Sequence, residues 1–484
     1  MPSFLATAIA IALSLPCAQG ALLGGLLSGS AVCQNIATQI TGKVYYPTDL
    51  SPNFVTGISH WMTSSSDVPT CLVEVASAQD VSAVLKIVGQ SRTPFAVKSG
   101  GHASNPGFSA TPGVHISLVR LKGTTLNADK TVATVGMGSI WTEVFNALEG
   151  SGVNVVGGRV AGPGVGGFTL GGGFSWKTQA YGLTCDTVIS YNLVLPNGTI
   201  TTVDASKPDL YFALKGGLNR FGIVTSIKLK TFAQSAQVYG GFSIFDATKL
   251  PALIAATDKF NTDNQDPKAA VILTVNGGAV PNAILLSFYD GPSKPAAFNV
   301  YDGITPILST VRAQTFSSFA AGTPSQLQGG SRGAFATLST TGLTKNFMMA
   351  VYNESQHYGT LSILRAGTLL SYDIEPFTDY GKHATDSAFP HANSPVPLNL
   401  YFAWLSASED EYWRAIMRQS IATLKQVAIN EGIYQANRLS YPNYALSTTA
   451  PEEMYGVQGL ARLRAIKRQV DPQQVMDLAG GFPI

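Results

Sequence analysis

Along the first 235 residues, short apolar runs alternate with hydrophobic residues at helical spacing. The runs Cys71–Val75 and Phe95–Val97 predict strands, and four apolar residues within Val81–Val88 recur at i, i+3, i+4 and i+7, which predicts a helix. Ser77 is a preferred capping residue just before them. This strand–helix–strand unit runs directly into the glycine turn Ser99-Gly100-Gly101-His102.

The same alternation continues through further strands and helices. Pro196-Asn197-Gly198 separates two apolar runs and predicts a hairpin. A helix is predicted after Ser139, as its cap, up to Leu148, and another over Asp209–Leu214. The predicted strands are Val114–Leu118, Thr131–Val135, Val153–Val156, Val188–Leu195, Thr199–Val203 and Ile223–Leu229.

Beyond about residue 235, longer elements predict a second lobe, a sheet covered by helices. The predicted strands are Ala270–Val275, Ala283–Tyr289, Leu361–Ile374 and Leu398–Leu405. The predicted helices are Thr248–Phe260, Glu409–Asn430 and, in the tail, Glu452–Gln469. The whole pattern predicts an α+β fold without internal repeats.

Composition narrows the class of protein. Of the 484 residues, 45% are apolar and 12% are charged, against about 25% charged in a typical soluble domain. The apolar fraction excludes general disorder. With a net charge of +2 and no run of Lys or Arg, nucleic-acid binding is not expected. No metal site is predicted.

The N-terminus has the features of a secretory signal peptide. No charged residue precedes Lys43, and the 12-residue apolar run Phe4–Leu15 is followed by proline. Because the run is too short to span a bilayer, residues 1–20 are predicted to be a leader cleaved near Gly20. An uncleaved anchor is the alternative, which two glycines soon afterwards disfavour.

The cysteines and sequons agree with secretion. Three cysteines remain after the leader, and we favour a disulfide between Cys33 and Cys71, with Cys185 as a buried thiol. Three unrelated thiols are the alternative. The triplets that begin at Asn197 and Asn353 predict glycosylation.

Glycine is concentrated between Gly157 and Gly173, where nine of 17 residues are glycine. Because glycine destabilises regular structure, this density indicates backbone that closely approaches a ligand, and exposed amides in such loops bind anions. A phosphate-bearing cofactor is therefore expected. The spacing from Gly162 formally matches G-x-G-x-x-G, but three further glycines follow where that motif requires a helix, so a Rossmann site is not predicted.

Two more glycine turns accompany this cluster. One precedes His102, and the other is Gly216–Gly222. Three such loops predict one extended ligand, such as a diphosphate joined to two ring systems. Three unrelated tight turns are the alternative.

These motifs resemble the FAD-linked oxidases of the vanillyl-alcohol oxidase superfamily, in particular the berberine bridge enzyme-like group. Their order and spacing cover nearly the whole chain after the leader. The matching segments are Lys98–His102, Gly164–Gly173, Gly182–Asp186, Pro208–Gly217, Phe221–Thr225, Phe389–His391, Tyr441–Tyr444 and Asp471–Pro472.

The resemblance implies a fold and its boundaries. Residues 21–66 would begin an FAD-binding domain of two subdomains that continues over residues 67–235. Residues 236–434 would form a substrate-binding domain, an antiparallel sheet covered by helices and lying over the flavin. Residues 435–484 would return to the FAD-binding domain.

The resemblance also implies the cofactor contacts. His102 is expected to carry the flavin covalently, because the glycine turn lets its neutral imidazole reach the dimethylbenzene edge. Relatives with a second link use a cysteine where Val160 stands, so one link is expected. The other expected FAD contacts are Lys98, Ser99, Gly100, Gly101, Gly158, Gly164, Gly167, Gly171, Gly172, Gly222, Ile223, Val224 and Asn443.

The resemblance specifies the catalytic residues less completely. Tyr441 matches a motif residue that faces the flavin and the substrate in relatives. Relatives carry an acid or amide on the strand after Phe-Pro-His, but Asn399–Leu405 contains no carboxylate. Glu354, His357 and Glu375 are alternatives for the base, although each is also expected to be a structural group.

The implied activity is that of an FAD-dependent oxidase, secreted or in the secretory pathway. Hydride would pass from a small organic substrate, a specialised metabolite, to the flavin and then to O₂, and ring closure coupled to oxidation is a further hypothesis. The alternatives are a flavin dehydrogenase with poor O₂ reactivity, a carbohydrate oxidase, which a single link disfavours, and a binding protein that retains FAD. No stable membrane association is expected.

Overall fold

The computed structural model describes residues 31–49, 51–323 and 329–484. The predicted leader, residues 1–20, lies outside these ranges. Within them, the chain forms a mixed α+β structure with sheets of four, five and eight strands and one two-stranded pair. No helix in the described ranges is long and apolar enough to cross a membrane.

The N-terminal half contributes two of the larger sheets. Its strands are β1 (Lys43–Tyr45), β2 (Cys71–Glu74), β3 (Phe95–Lys98), β4 (Val114–Ser117), β5 (Thr124–Leu126), β6 (Val132–Gly136), β7 (Val153–Asn154), β8 (Val188–Val194), β9 (Ile200–Val203), β10 (Ile223–Lys230) and β11 (Phe232–Ala233). The first sheet has the order β1-β2-β4-β3, with β2 and β3 parallel to β4. The second is antiparallel and has the order β5-β6-β10-β8-β9.

The helices of this half follow local capping chemistry. They are α1 (31–39), α2 (Pro52–Ile58), α3 (Ala78–Ser91), α4 (Trp141–Leu148), α5 (Val165–Leu170), α6 (Thr178–Tyr181) and α7 (Pro208–Leu214). The Ser77 side chain caps α3 as predicted, by accepting from the Asp80 amide. The predicted Ser139 cap is wrong, because its hydroxyl accepts from the Gly123 amide and α4 begins after Ile140.

One hydrophobic core joins both N-terminal sheets to the C-terminal tail. In the tail, α12 (Pro451–Val470) packs into this core, and the guanidinium of Arg220 donates to the carbonyls of Met476, Ala479 and Phe482. The predicted Cys33–Cys71 disulfide is formed and ties α1 to β2. Cys185 is free and buried.

The eight-stranded sheet forms the second lobe and is antiparallel. Its strands are β12 (Val238–Asp246), β13 (Ala269–Gly277), β14 (Asn282–Tyr289), β15 (Leu308–Ser309), β16 (Arg312–Gln314), β17 (Arg332–Thr340), β18 (Gly367–Ile374) and β19 (Val396–Trp404). The order is β15-β12-β14-β13-β18-β19-β17, and β16 also pairs with β12.

Helices cover one face of this sheet and leave the other for the site. The lobe contains α8 (Leu250–Asp263), α9 (Phe316–Ala321), α10 (Lys345–Ser362) and α11 (Asp410–Asn430). Apolar residues of α8, α10 and α11 form a second core together with Leu370, Tyr372 and Ile374 of β18. The residues that alternate with these three therefore face the opposite side.

The sequence prediction was wrong in one stretch of this lobe and missed several other elements, among them β15, β16 and α9. The predicted strand Leu361–Ile374 is the end of α10 followed by β18, because buried Phe347, Met348, Val351 and Tyr358 recur at helical spacing after the Thr344 cap. Strands β12 and β17 were not predicted. Glycine, alanine and serine are frequent in both, which weakens the pattern of large apolar residues.

Candidate active site

A cavity of about 410 Å³ lies between the glycine loops and the open face of the eight-stranded sheet. Cofactor and substrate sites typically occupy about 300–1,000 Å³. Residues of all three predicted glycine loops line it, and the sheet supplies the opposite wall. The sheet residues of that wall are Ile272, Thr274, Ile284, Leu286, Phe335, Ser371, Asp373, Asn399 and Tyr401.

Two of the glycine loops touch backbone to backbone. A Cβ atom at Gly164 would lie 2.1 Å from the Gly100 nitrogen, and one at Gly100 would lie 2.3 Å from the Gly164 nitrogen. The Ser99 hydroxyl joins the loops further by donating to the Met137 carbonyl and accepting from the Gly166 amide. A Cβ atom at Gly167 would instead meet nothing within 4 Å, so this glycine leaves space open.

Most of the residues predicted to contact a cofactor line this cavity. They are Ser99, Gly100, Gly101, His102, Gly164, Gly167, Gly222, Ile223, Val224 and Asn443, and Val160 lines it as well. Gly158, Gly171 and Gly172 do not. A Cβ atom at Gly158 would meet the Trp141 ring, and one at Gly171 would meet Asn443, so these glycines permit close packing behind the lining.

Lys98 also lies outside the lining, which corrects its prediction as a diphosphate contact. Alternation along β3 turns Val97 toward the cavity and Lys98 away from it. The Lys98 ammonium donates to the Gly57 carbonyl at 2.8 Å, and burial lowers its pKa to about 8. Its contact holds α2 against the sheet.

The glycine cluster does open a short helix, contrary to the argument used against the Rossmann motif. Helix α5 begins directly after Gly164 and ends at Leu170, where Gly171 follows. A Rossmann site is nevertheless excluded by the sheet. The neighbouring strands β6, β10 and β8 are antiparallel, whereas a Rossmann fold has a parallel, doubly wound sheet.

The His102 imidazole lines the cavity as a neutral ring. Burial, with a smaller contribution from nearby His60, lowers its pKa to about 4. Its ring stacks on Trp61, with 4.7 Å between centroids and 12° between planes. A neutral imidazole retains a nitrogen lone pair, so His102 is chemically able to act as a nucleophile.

The Tyr441 ring lines the cavity, but its hydroxyl is turned into the glycine loop. That oxygen accepts from the amides of Gly173 and Phe174 at 3.0 and 3.3 Å, and the Asn443 amide donates to it at 2.8 Å. Burial raises its pKa to about 12. The geometry therefore supports an anchoring role for Tyr441 rather than the predicted catalytic one.

Two carboxylates stand on the cavity side of β18 and just beyond its end. Strand register places Asp373 opposite Thr274 on one side and Asn399 on the other. Thr274, Ser371 and Asn399 donate to Asp373 at 2.7, 2.9 and 2.9 Å. Burial raises the Asp373 pKa, and these bonds oppose the rise.

Glu375 belongs to a buried triad with Arg159 and Tyr444. An Arg159 Nη1 to Glu375 Oε2 distance of 2.7 Å defines an ion pair. The Tyr444 hydroxyl donates to Glu375 Oε1 at 3.0 Å and accepts from the Arg159 guanidinium. Burial raises the Glu375 pKa, whereas the adjacent Arg159 charge lowers it.

Of the three alternative bases, only Glu375 lines the cavity. Glu354 and His357 lie on α10, behind the sheet, and neither lines the cavity. Asp373, Arg159 and Tyr444 were not proposed for catalysis from the sequence. A sequence signal was available for Asp373. Ser371, Asp373 and Glu375 place a polar residue at every second position inside an apolar lobe.

Comparison with known proteins agrees with this geometry. Residues 69–204 match the FAD binding domain family. An uncharacterized FAD-linked oxidoreductase of Arthroderma benhamiae is 38% identical over 457 residues, covering 88% of this chain and 89% of the relative. The chain belongs to the FAD-linked oxidoreductases. An FAD-dependent monooxygenase of Aspergillus calidoustus is also similar to this chain. The two are 30% identical, over 95% of this chain and 91% of that protein.

Solved structures show the same fold. A berberine bridge enzyme-like protein of Physcomitrella patens superposes on the FAD-linked oxidoreductase with a TM-score of 0.77 at 20% identity, covering 94% and 98% of the two chains. Glucooligosaccharide oxidase of Acremonium strictum gives 0.77 at 18% identity, covering 92% and 97%. The residues present fit FAD, because abutting glycine loops line a cavity that has a neutral histidine in its wall.

Proposed function

We propose that this enzyme is an oxidase that carries FAD on His102 and oxidises a small organic substrate, of the specialised-metabolite type, with O₂ as the electron acceptor. The observation that carries the proposal is a neutral His102 among glycine loops, across one cavity from the Asp373 and Glu375 carboxylates. FAD, when bound, supplies the hydride acceptor. The loops around Gly100, Gly164 and Gly222 would hold it.

Attachment of FAD is proposed to use the free edge of the His102 imidazole. Such a link would join a His102 ring nitrogen to the flavin methyl carbon, with loss of one C–H and one N–H bond. The two electrons and two protons released would be consumed by O₂, giving H₂O₂. Val160 has no thiol, so a single link is proposed.

Proton removal from the substrate is assigned to Tyr444 and Glu375. A substrate hydroxyl against Tyr444 would pass its proton to the Tyr444 oxygen while Tyr444 passes its own proton to Glu375 Oε1, 3.0 Å away. Arg159 stabilises the negative charge on this pair in both states, because it contacts both residues. The substrate oxygen thereby gains electron density as hydride leaves its carbon.

The walls of the cavity favour a flat, largely apolar substrate with a polar end. Trp61, Phe335 and Tyr401 form an aromatic wall, with ring centroids 5.2 to 6.0 Å apart. Asp373 and Asn399 provide polar atoms beside it, and the Asn399 Oδ1 atom is buried without a partner within the described residues. A hydroxyl or amine hydrogen of the substrate would satisfy that oxygen.

Secretion remains part of the proposal. The Cys33–Cys71 disulfide suits an oxidising compartment. Asn197 and Asn353 are both exposed, so each could carry a glycan. N-terminal sequencing and glycosidase treatment of the secreted product test cleavage near Gly20 and the use of both sites.

Purified enzyme tests the cofactor and the reaction separately. We expect a yellow protein whose flavin stays attached after acid precipitation, whereas His102→Ala releases it. A colourless, folded wild-type protein would contradict the proposal. For the reaction, an oxidase yields H₂O₂ and a product with two hydrogens fewer, with or without ring closure.

Other outcomes identify the alternatives. A monooxygenase, as several relatives are named, adds one oxygen atom from ¹⁸O₂ to the product. Substrate-reduced flavin that reoxidises slowly in air indicates a dehydrogenase. Peroxide formed only with oligosaccharides indicates a carbohydrate oxidase. Bound flavin that no substrate bleaches indicates a binding protein.

A further inference from the structure

We propose that Trp61 is a positioning residue for covalent attachment of the flavin, and that it orients His102 by stacking. This inference rests on the proposed link at His102 and goes beyond it by naming the group that sets the imidazole plane. The carrying observation is the nearly parallel stack of the two rings, 4.7 Å apart.

Stacking leaves the nucleophilic edge of the imidazole free. The lone pairs of imidazole lie in the ring plane, so a neighbour above that plane fixes its orientation without occupying a nitrogen. In the described part of the chain, no hydrogen bond reaches either ring nitrogen of His102. Reactive histidines are more commonly oriented by a hydrogen bond to the second nitrogen, and here the Trp61 face supplies that restraint.

The neighbouring His60 shows the contrast. Its Nδ1 lies 2.9 Å from the Ile58 carbonyl, and its Nε2 lies 2.9 Å from the Ser109 hydroxyl. Both nitrogens are therefore engaged, and His60 does not line the cavity. Of these two histidines, only the stacked one offers a ring edge to the cavity.

Trp61 is itself held from two directions. Its backbone amide donates to the Gly101 carbonyl at 3.0 Å, which ties it to the loop that carries His102. Its ring stacks on Phe335 of β17, 6.0 Å away at 8°, and contacts Tyr401 of β19 at 5.2 Å. The orientation of the imidazole plane is thereby fixed relative to the eight-stranded sheet. Trp61 connects His102 to the aromatic wall formed with Phe335 and Tyr401.

The test compares Trp61→Leu, Trp61→Phe and Phe335→Leu with the wild type. Each protein is expressed with riboflavin, and covalent flavin is measured by the fluorescence of the acid-denatured band, as a fraction of the total flavin that each purified protein carries. Because only flavin-bearing protein is counted, partial misfolding does not enter the ratio. Time courses after addition of FAD to freshly purified protein give the rate of attachment.

We expect Trp61→Leu to bind flavin but to slow covalent attachment by about tenfold or more, because small misplacements of reacting groups have large rate effects. Trp61→Phe retains a flat ring and should restore most of the rate. Phe335→Leu removes only the outer ring and should have a smaller effect than Trp61→Leu.

Two results would overturn the inference. One is an attachment rate in Trp61→Leu equal to that of the wild type. The other is an equal loss in Trp61→Phe and Trp61→Leu, which would mean that a flat ring is not what matters. Absence of covalent flavin from the wild type itself would instead refute the proposed link at His102.

Discussion

At the scale of single residues, the two cavity carboxylates have different surroundings. Asp373 accepts from three neutral groups, whereas Glu375 is paired with the Arg159 guanidinium and the Tyr444 hydroxyl. A neighbouring cation favours the ionised carboxylate. The Arg159 charge therefore favours the ionised form of Glu375, which is the form able to accept a proton, and Asp373 is better suited to hold a hydrogen-bond donor of the substrate.

Substitution of these carboxylates separates the two roles. Glu375→Gln should lower kcat by about 10²–10⁴-fold, the usual contribution of a general base, with little change in KM. Asp373→Asn should mainly raise KM, because it keeps the shape but changes the hydrogen bonding. Steady-state peroxide assays on flavin-loaded protein measure both constants, and His102 attachment serves as the control for an intact site.

The pH profile provides an independent readout of the same pair. Burial raises the Glu375 pKa, so kcat/KM should fall as pH falls through a value above the ordinary glutamate pKa of about 4.3. Arg159→Gln removes the opposing charge and should move this acid limb to higher pH. A larger kcat loss in Asp373→Asn than in Glu375→Gln, with the limb unmoved, would reverse the assignment.

At the scale of elements, the first two glycine loops form one unit. The turn after β3 and the segment before α5 meet where Gly100 and Gly164 are in backbone contact. No side chain fits there, because the nearest atoms belong to the backbone and cannot rotate away. Gly167, one turn into α5, has the opposite surroundings and faces open space.

Two alanine substitutions distinguish packing from cofactor binding. Gly164→Ala should destabilise the fold by about 1–3 kcal/mol or more, because its Cβ atom would overlap the Gly100 backbone. Gly167→Ala should leave thermal stability unchanged or slightly higher, since alanine favours helix by about 1 kcal/mol, yet its methyl group enters the cavity and should weaken flavin binding. Thermal unfolding and bound-flavin absorbance measure the two effects, and equal losses of stability in both variants would contradict this distinction.

At the scale of the whole molecule, a buried ion pair connects the two lobes. Lys177, between α5 and α6, pairs with Asp290 at the end of β14, and Gln234 also donates to Asp290 at 2.8 Å. The side chains of Lys177 and Asp290 are 1% and 9% exposed. Burial lowers the Lys177 pKa, and the Asp290 charge opposes that shift.

Removal of one residue of the buried Lys177–Asp290 pair should lower the free energy of unfolding. Asp290→Asn leaves the Lys177 ammonium without its counter-charge and should destabilise the protein by about 3–5 kcal/mol. The matched control is Asp263→Asn, which breaks the exposed Lys259–Asp263 pair and should cost less than about 0.5 kcal/mol. Denaturant unfolding followed by tryptophan fluorescence compares them, and similar midpoints for the two variants would contradict the prediction.

The sequence by itself determined the local features of this protein. Hydrophobic spacing predicted most of the strands and half of the helices in the described residues, because such elements depend on neighbouring residues. The glycine loops and the turn at His102, predicted to bind the cofactor, line one side of the cavity. The Cys33–Cys71 pairing was also predicted correctly. The helices, the strands and the glycine loops each depend on residues that are close together along the chain.

Only the tertiary structure decided which side chains meet in the site. Arg159, Glu375 and Tyr444 come from three distant segments, and no local pattern places them together. Helices that cover one face of the eight-stranded sheet leave Asp373 and Glu375 on the cavity side, while alternation along β3 turns Lys98 away from it. The physical reason is that contact across the cavity depends on how sheets and helices pack, whereas the spacing along the chain specifies only which face of each element a residue occupies.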